Sequence, residues 1–288
     1  MSVDISSPVD SPADAATQRK ARLFRALSAE PVLVLPNAWD AASAAVIAAA
    51  GAAAIATTSG GVSWSLGHGD GQRLSREEMA RAARRIVDSV DVPVTVDVEG
   101  GYGPGPADVA ATVRAVVEAG AVGVNLEDST AVGGPLFDVA GQGARLRAAR
   151  EAAAAAGLPE LFVNARTDVF LFGIGAPEGR LGEVLERAEA YAEAGADGIF
   201  VPGLLDLDAL KTLCAASPLP VNAMAVAGGP SVTELARAGV RRVSLGTALA
   251  QAAYAATRRA AAELLTTGGL TALDGSLDFS ELDVLFRR

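Results

Sequence analysis

One short phrase recurs through this chain of 288 residues. Ala49-Ala50-Gly51-Ala52, Glu118-Ala119-Gly120-Ala121, Glu193-Ala194-Gly195-Ala196 and Arg237-Ala238-Gly239-Val240 each stand between an Ala-rich run and a β-branched run. The phrase reads as a helix end. Glycine takes the left-handed conformation that stops a helix, and the chain then turns into a buried strand. A device repeated in this way marks stacked supersecondary units. The apolar runs give eight strand candidates, at 31–36, 53–58, 93–98, 122–127, 160–166, 197–202, 219–224 and 241–245. Helical segments separate them, and one more follows the last. Such βα units close most naturally into a (β/α)8 barrel, a TIM barrel. A doubly wound open sheet is the alternative. It would want a G-x-G-x-x-G turn after the first strand, where the chain reads Leu35-Pro36-Asn37-Ala38-Trp39-Asp40.

Half of the residues are apolar, enough for a large core, and composition does not shift after about residue 20, which favours a single domain. Residues 1–16 are rich in Ser, Asp, Ala and Pro, without the basic and apolar regions of a signal peptide. A disordered tail over 1–18 and one catalytic barrel over 19–288 are therefore expected. The longest apolar stretch, Val46 to Ala56, is interrupted by Gly51 and is too short to span a bilayer. The formal charge of −10 argues against a nucleic-acid partner. Cys214 is the single cysteine, which excludes an internal disulfide and suits a reducing cytoplasm. Its place in a helical run outside the barrel reads as a small apolar residue rather than a nucleophile.

Barrel enzymes work at the C-terminal ends of their strands. Polar residues and glycines gather at those ends: Asn37, Trp39 and Asp40; Thr57 to Gly61; Asp97 and Glu99; Glu127 and Asp128; Asn164, Arg166 and Asp168; Asn222 and Met224. Asp97 and Glu99 share a strand face. With Glu127 they are the candidate ligands of a hard divalent cation, which takes oxygen donors and tolerates water between. The alternatives are a pair of solvated acids or acids paired with arginines. A 2-oxo carboxylate would chelate such an ion, which would stabilise an enolate. Arg166 shares a face with Asn164 and Asp168, and reads either as a substrate contact or as a salt bridge to Asp168. Ser59-Gly60-Gly61 supplies backbone N–H groups for an anion, or is a plain turn. Beyond it, Ser63 to Gly71 forms a glycine-rich loop from which Asp70 reaches the ion site. His68, the sole histidine, is given no role.

Taken together, Pro36-Asn37-Ala38-Trp39-Asp40, Thr58-Ser59-Gly60-Gly61, Gly67-x-x-Asp70, Asp97-Val98-Glu99-Gly100-Gly101-Tyr102-Gly103, Asn125-Leu126-Glu127-Asp128 and Asn164-Ala165-Arg166-Thr167-Asp168 resemble the isocitrate lyase/phosphoenolpyruvate mutase superfamily, from about residue 19 to the C-terminus. The resemblance implies a TIM barrel, with the C-terminal helix swapped within a homodimer or homotetramer. It implies Mg2+ or Mn2+ held by Asp97, Glu99 and Glu127 and by Asp70, partly through water, with Asp70 and Arg166 in catalysis. A small 2-oxo or 2-hydroxy acid would lie against Ser59, Gly60 and Gly61, with Trp39 on the wall and Asn222 a further contact.

The departures from the family pattern bear on the substrate. The lyases of the isocitrate and methylisocitrate type carry a Lys-x-Cys-Gly-His loop after the fourth strand, whereas this chain reads Ser129 to Asp138 without Lys, Cys or His. Glu99 stands where many members have Asp, and Pro202-Gly203 replaces a glutamate of the lyases. A lyase or decarboxylase of a small diacid is the first expectation, because decarboxylation needs no lid cysteine. A mutase or hydrolase acting on a C–P bond is the second. Ala227 to Ser231 and Leu245 to Ala248 also suit a phosphate, as in an isomerase or synthase barrel. A metabolite-binding barrel without catalysis is the last alternative.

Overall fold

The structure, a computed structural model, describes residues 13–29 and 32–287. Its sheet runs β1 (Leu33–Leu35), β2 (Asn37–Ala38), β3 (Ile55–Thr57), β4 (Val94–Asp97), β5 (Gly123–Glu127), β6 (Phe162–Arg166), β7 (Gly198–Phe200), β8 (Val221–Met224) and β9 (Arg242–Ser244). All neighbours are parallel, in the order β1-β9-β8-β7-β6-β5-β4-β3-β2. The expected first strand is thus two pieces separated by Pro36, which has no N–H to donate to a ladder. β1 pairs with β9 and β2 with β3, so this one segment bridges both edges and closes a TIM barrel. The beginning of that expected strand, residue 31, lies outside the described residues. Each of the other seven expected strands is present, trimmed at its ends.

Helices cover the outside, and the recurring phrase does what its composition requires. Gly51, Gly120, Gly195 and Gly239 all have φ between +84° and +98°. The strands' outward residues, such as Val96, Val124, Val163, Ile199 and Val243, are buried against the helices. The opposite phase of the strands fills the barrel with polar groups. Asn164 Nδ2 donates to Asn125 Oδ1 at 3.0 Å and to Asn222 Oδ1 at 3.2 Å. Asn125 Nδ2 donates to Asp97 Oδ1 at 3.2 Å. Register sets this belt, because Asp97, Asn125 and Asn164 are successive partners on β4, β5 and β6.

Two expected boundaries shift. The helix Ala15–Ser28, capped by Asp14 accepting from Thr17 N at 2.7 Å, occupies the last residues of the expected 1–18 tail. Residues 1–12 of that tail lie outside the described residues. The expected loop from Ser63 starts later, since Ser59–Ser65 is a short helix. At the other end, Ala248–Thr267 is a long helix followed by the short helix Phe279–Val284. No helix among the described residues is long and apolar enough to cross a membrane.

Candidate active site

A cavity of about 220 Å³ opens at the C-terminal ends of the strands. Its rim carries Ser59, Asp70, Asp97, Arg166, Gly246 and Thr247, and its lining continues inward past Asn125 and Asn222 to Thr95, Arg242 and Ser244. The glycines after β3 are required by close packing. A methyl group on Gly60 would lie 2.9 Å from Thr247 Cγ2 and 3.2 Å from Asp70 Oδ2. One on Gly61 would lie 2.8 Å from both Thr58 Cγ2 and Trp39 Cβ. These two glycines are therefore the seat of the rim and are not part of the cavity lining. Trp39 stands behind them, its ring 6.4 Å from that of Tyr254.

Asp97 accepts from Ser59 N at 3.2 Å, besides Asn125. Asp70 is exposed on its outer edge, yet burial of its carboxyl and then the charge of Asp97 raise it above the usual carboxylate range. Glu99 is pushed up to about 7, by burial first and by Asp97 second. It sits at φ +49°, a left-handed conformation that a non-glycine residue holds only when its surroundings fix it. They do. Glu99 accepts from Gln72 N and from Tyr102 OH, the latter at 3.0 Å, and Gln72 Oε1 accepts from Tyr102 N at 2.8 Å. Gln72 and Tyr102 also have positive φ. Arg145 anchors the same loop, donating to Gly100 O, Gly103 O and Pro104 O while lying 4.2 Å above the Phe137 ring.

Arg166 is bracketed by Glu127 at 2.9 Å and Asp168 at 2.6 Å. Burial alone would lower its pKa, but Glu127, Asp168 and Asp97 together hold it raised. Burial raises Glu127, with the Arg166 charge pulling the other way. The expected salt bridge of Arg166 to Asp168 is present, and the side chain also lines the cavity. Its Nη2 makes no hydrogen bond among the described residues and is free for a substrate oxygen. Asp128 turns away, into an ion pair with Arg187 at 3.2 Å and a hydrogen bond from Tyr191 OH at 2.8 Å.

The expected ion site is only partly assembled. Asp97 and Asp70 face the cavity, whereas Glu99 and Glu127 stand behind them, engaged with Gln72 and Tyr102 and with Arg166. Among the described residues, no three His, Cys, Asp or Glu side chains converge closely enough to enclose an ion alone. Asp70, Glu99 and Glu127, each raised by burial and by the charge of Asp97, nevertheless make an unbalanced negative field. An all-oxygen set of one or two direct carboxylates, with others reached through water, matches the coordination habit of Mg2+. The residues fit such an ion.

Other expectations fall outside the cavity. His68 is exposed, and Cys214 is half-buried on the helix Leu207–Ala216, its thiol pushed by burial up to about 11. The segment after β5 folds back on itself through a Ser129–Leu136 bridge. Gln72, Arg145 and Arg242 line or support the site and lie outside the motifs read from sequence, and Tyr102 lies within one but was given no role.

The family model described as phosphoenolpyruvate phosphomutase matches residues 24–265. An oxaloacetate decarboxylase of Rhodopseudomonas palustris is 34% identical over 69% of this chain and 67% of its own. A 2,3-dimethylmalate lyase of Eubacterium barkeri is 31% identical, covering 73% of this chain and 72% of its own. A crystal structure from Burkholderia cenocepacia, provisionally titled a phosphonomutase, superimposes with a TM-score of 0.81 at 48% identity, over 84% of this chain and 98% of that one.

Proposed function

The chain belongs to the isocitrate lyase/phosphoenolpyruvate mutase superfamily of lyases and phosphonomutases, and from that premise we propose that it is a Mg2+- or Mn2+-dependent lyase or decarboxylase acting on a small 2-oxo or 2-hydroxy acid. One observation carries the choice. The cavity lining combines Asp70, Asp97 and Arg166 with hydroxyl and amide side chains, and it contains no Cys, His, Lys or Tyr. Such a lining lacks a general acid of the lid-cysteine kind to protonate carbon, but it suits C–C cleavage driven by electron withdrawal.

Asp97 and Asp70 would hold the ion directly, with Glu99 and Glu127 behind them. When bound, the ion supplies a Lewis acid at the 2-oxo or 2-hydroxy oxygen. Arg166 offers Nη2 to a substrate oxygen, and its two carboxylate partners fix the plane in which that N–H points. Ser59, on its seat of Gly60 and Gly61, takes the neighbouring carboxylate, with Trp39 and Asn222 shaping the pocket. With oxaloacetate, the C3–C4 bond breaks, CO2 leaves, and the electron pair remains as the enolate of pyruvate. Water then supplies the proton to C3. The related decarboxylase and lyase act on molecules of this size, which supports the reading.

The same reading has the protein work in the cytoplasm as a homo-oligomer. An apolar groove lies between β1 and the helix Ala41–Ala49, lined by Leu33, Val34, Val46, Ile47, Leu245 and Leu249. The C-terminal segment exposes Leu265, Leu270, Phe279 and Phe286. A swapped C-terminal helix would cover both.

The test is a panel of oxaloacetate, 2,3-dimethylmalate, methylisocitrate and phosphonopyruvate, with and without Mg2+, read by lactate dehydrogenase. Metal-dependent pyruvate from oxaloacetate or dimethylmalate is expected. Phosphoenolpyruvate formed from phosphonopyruvate, detected with pyruvate kinase and ADP, would move the protein to C–P chemistry.

A further inference from the structure

The cavity has two arginines, and only one of them is paired. Arg166 at the rim is closed between two carboxylates. Arg242 lines the cavity's inner end and is 7% exposed. Its Nε and Nη1 are fully buried without a partner, and its guanidinium makes no hydrogen bond or ion pair among the described residues. A buried charge left unpaired costs several kcal/mol, so buried cations are ordinarily matched by an anion. The nearest acid acting on Arg242 is Asp97, but Asp97 spends its oxygens on Ser59 N, Asn125 Nδ2 and Glu99 N. Burial draws the guanidinium down to about 9, and Asp97 offsets this only in part.

The surroundings of Arg242 are polar. Thr95 Oγ1 lines the same cavity and is likewise buried without a partner. The Ser244 hydroxyl, also on the lining, accepts from Asn222 Nδ2 at 3.3 Å and keeps its own proton to donate. Donors therefore outnumber acceptors at the inner end: among the described residues of this belt the one unpartnered carbonyl acceptor is Asn164 Oδ1, a neutral group that leaves the guanidinium charge unmatched. An apolar ligand gains nothing from such a floor, while a carboxylate satisfies it.

We propose that Arg242, with Thr95 and Ser244, forms a second anion subsite on the barrel floor, which receives the distal carboxylate of a dicarboxylic substrate and so sets specificity. This deepens the function proposed above and rests on it for the placement of the first carboxylate at the rim. It also has a chemical consequence. A fixed cation stabilises the charge of the carboxylate it holds and opposes its loss as CO2. The carboxylate on Arg242 is accordingly one that the reaction keeps, which favours a substrate of the dimethylmalate kind, whose cleavage products retain both carboxylates, over oxaloacetate, whose distal carboxylate is the one lost.

Two ligand pairs that differ only by that carboxylate test the subsite by calorimetry. Lactate and malate are titrated with Mg2+, and propionate and succinate without any metal. The wild-type protein should bind the diacid of each pair about tenfold or more tightly than the monoacid, a difference of about 1.4 kcal/mol. Arg242→Met should abolish the preference and leave lactate affinity unchanged, and Arg242→Lys should restore part of it. Arg242→Met should also melt no lower than wild type in the absence of ligand, because it removes an uncompensated charge. Equal affinities for diacid and monoacid in the wild type, or a preference that survives in Arg242→Met, would overturn the proposal. Mg2+-independent lactate binding would instead count against the metal reading, while the succinate and propionate pair still decides the subsite. Should Arg242→Met fail to fold, Arg242→Lys decides: full retention of the wild-type preference, with an ammonium in place of the fork, contradicts the subsite.

Discussion

Arg166 is held by two carboxylates at once, and this makes it a test of geometry against charge. Lysine keeps the charge but cannot span Glu127 and Asp168 while presenting a third donor. Arg166→Lys should lower kcat with the true substrate by about tenfold or more, with a smaller change in KM. An unchanged rate would leave Arg166 as a prop of the rim. Glu99 makes a different prediction. Glutamine keeps one carbonyl oxygen to accept from Gln72 N, and its amide N–H can donate to the Tyr102 hydroxyl in the place of the second oxygen, but it removes a charge crowded by Asp97. Glu99→Gln should leave the metal-free melting temperature unchanged or higher, while weakening Mg2+ binding by about tenfold, as losses behind the direct ligands do. Cys214 carries a pH prediction. Its thiol is raised to about 11, so the alkylation rate should keep climbing past pH 9 rather than levelling there. A plateau near pH 9 would show an ordinary exposed thiol. At this scale the sequence revealed the acids and Arg166, because they lie in short polar motifs at strand ends. Gln72 was illegible, since its role depends on a backbone φ and a contact across the loop. Arg242 was within reach. It is in phase with Ser244 on β9, so alternation turns it inward, but the neighbouring Arg241 makes the pair look like a charged surface.

Among the elements, the short helix Ser59–Ser65 ties the sequence pattern most closely to the site. Its first glycine lets the helix approach Asp70 and Thr247 together. Gly60→Ala would force one of these to move, and overpacking of this kind costs about 1–3 kcal/mol. The variant should fold with a lowered melting temperature and lose activity through displacement of Asp70. Wild-type turnover in Gly60→Ala would show that Asp70 has room to adjust. The glycines of this helix were read from sequence as a loop and an anion nest, because Gly and Ser runs signal turns. Here tertiary packing overrides that preference: the segment is helical, and close contacts with Trp39 and Thr58 leave no room for a side chain at Gly61. The strands were read more surely. Buried parallel strands appear as continuous apolar runs, and four of the eight were announced by a glycine helix stop. The break at Pro36 was legible in principle, since proline cannot donate to a ladder. That the two halves pair with opposite edges follows only from closure of the barrel.

For the whole molecule, the barrel supplies its own core and site, but its C-terminal arm remains exposed. Phe279 is 82% exposed and Leu265 84%. Apolar side chains at this exposure in one segment mark a contact surface. Phe279→Glu combined with Leu265→Glu should reduce the mass measured by light scattering to that of a smaller species. An unchanged mass in both wild type and variant would separate the arm from assembly. The arm was legible in the helical spacing of Phe279, Leu282, Leu285 and Phe286, but its partner was not, because an apolar face does not name what covers it. Function was legible only to the level of the superfamily, because the segment 129–138 departs from the lid pattern of the lyases and no other motif names the substrate. The central claim is that Asp97 holds a divalent ion for a 2-oxo acid, and oxalate, a stand-in for the enolate of pyruvate, tests it most directly. Calorimetry of oxalate binding should show affinity with Mg2+, none measurable without it, and none in Asp97→Ala, which should remain folded. Oxalate binding that is indifferent to Mg2+, or preserved in Asp97→Ala, would contradict it.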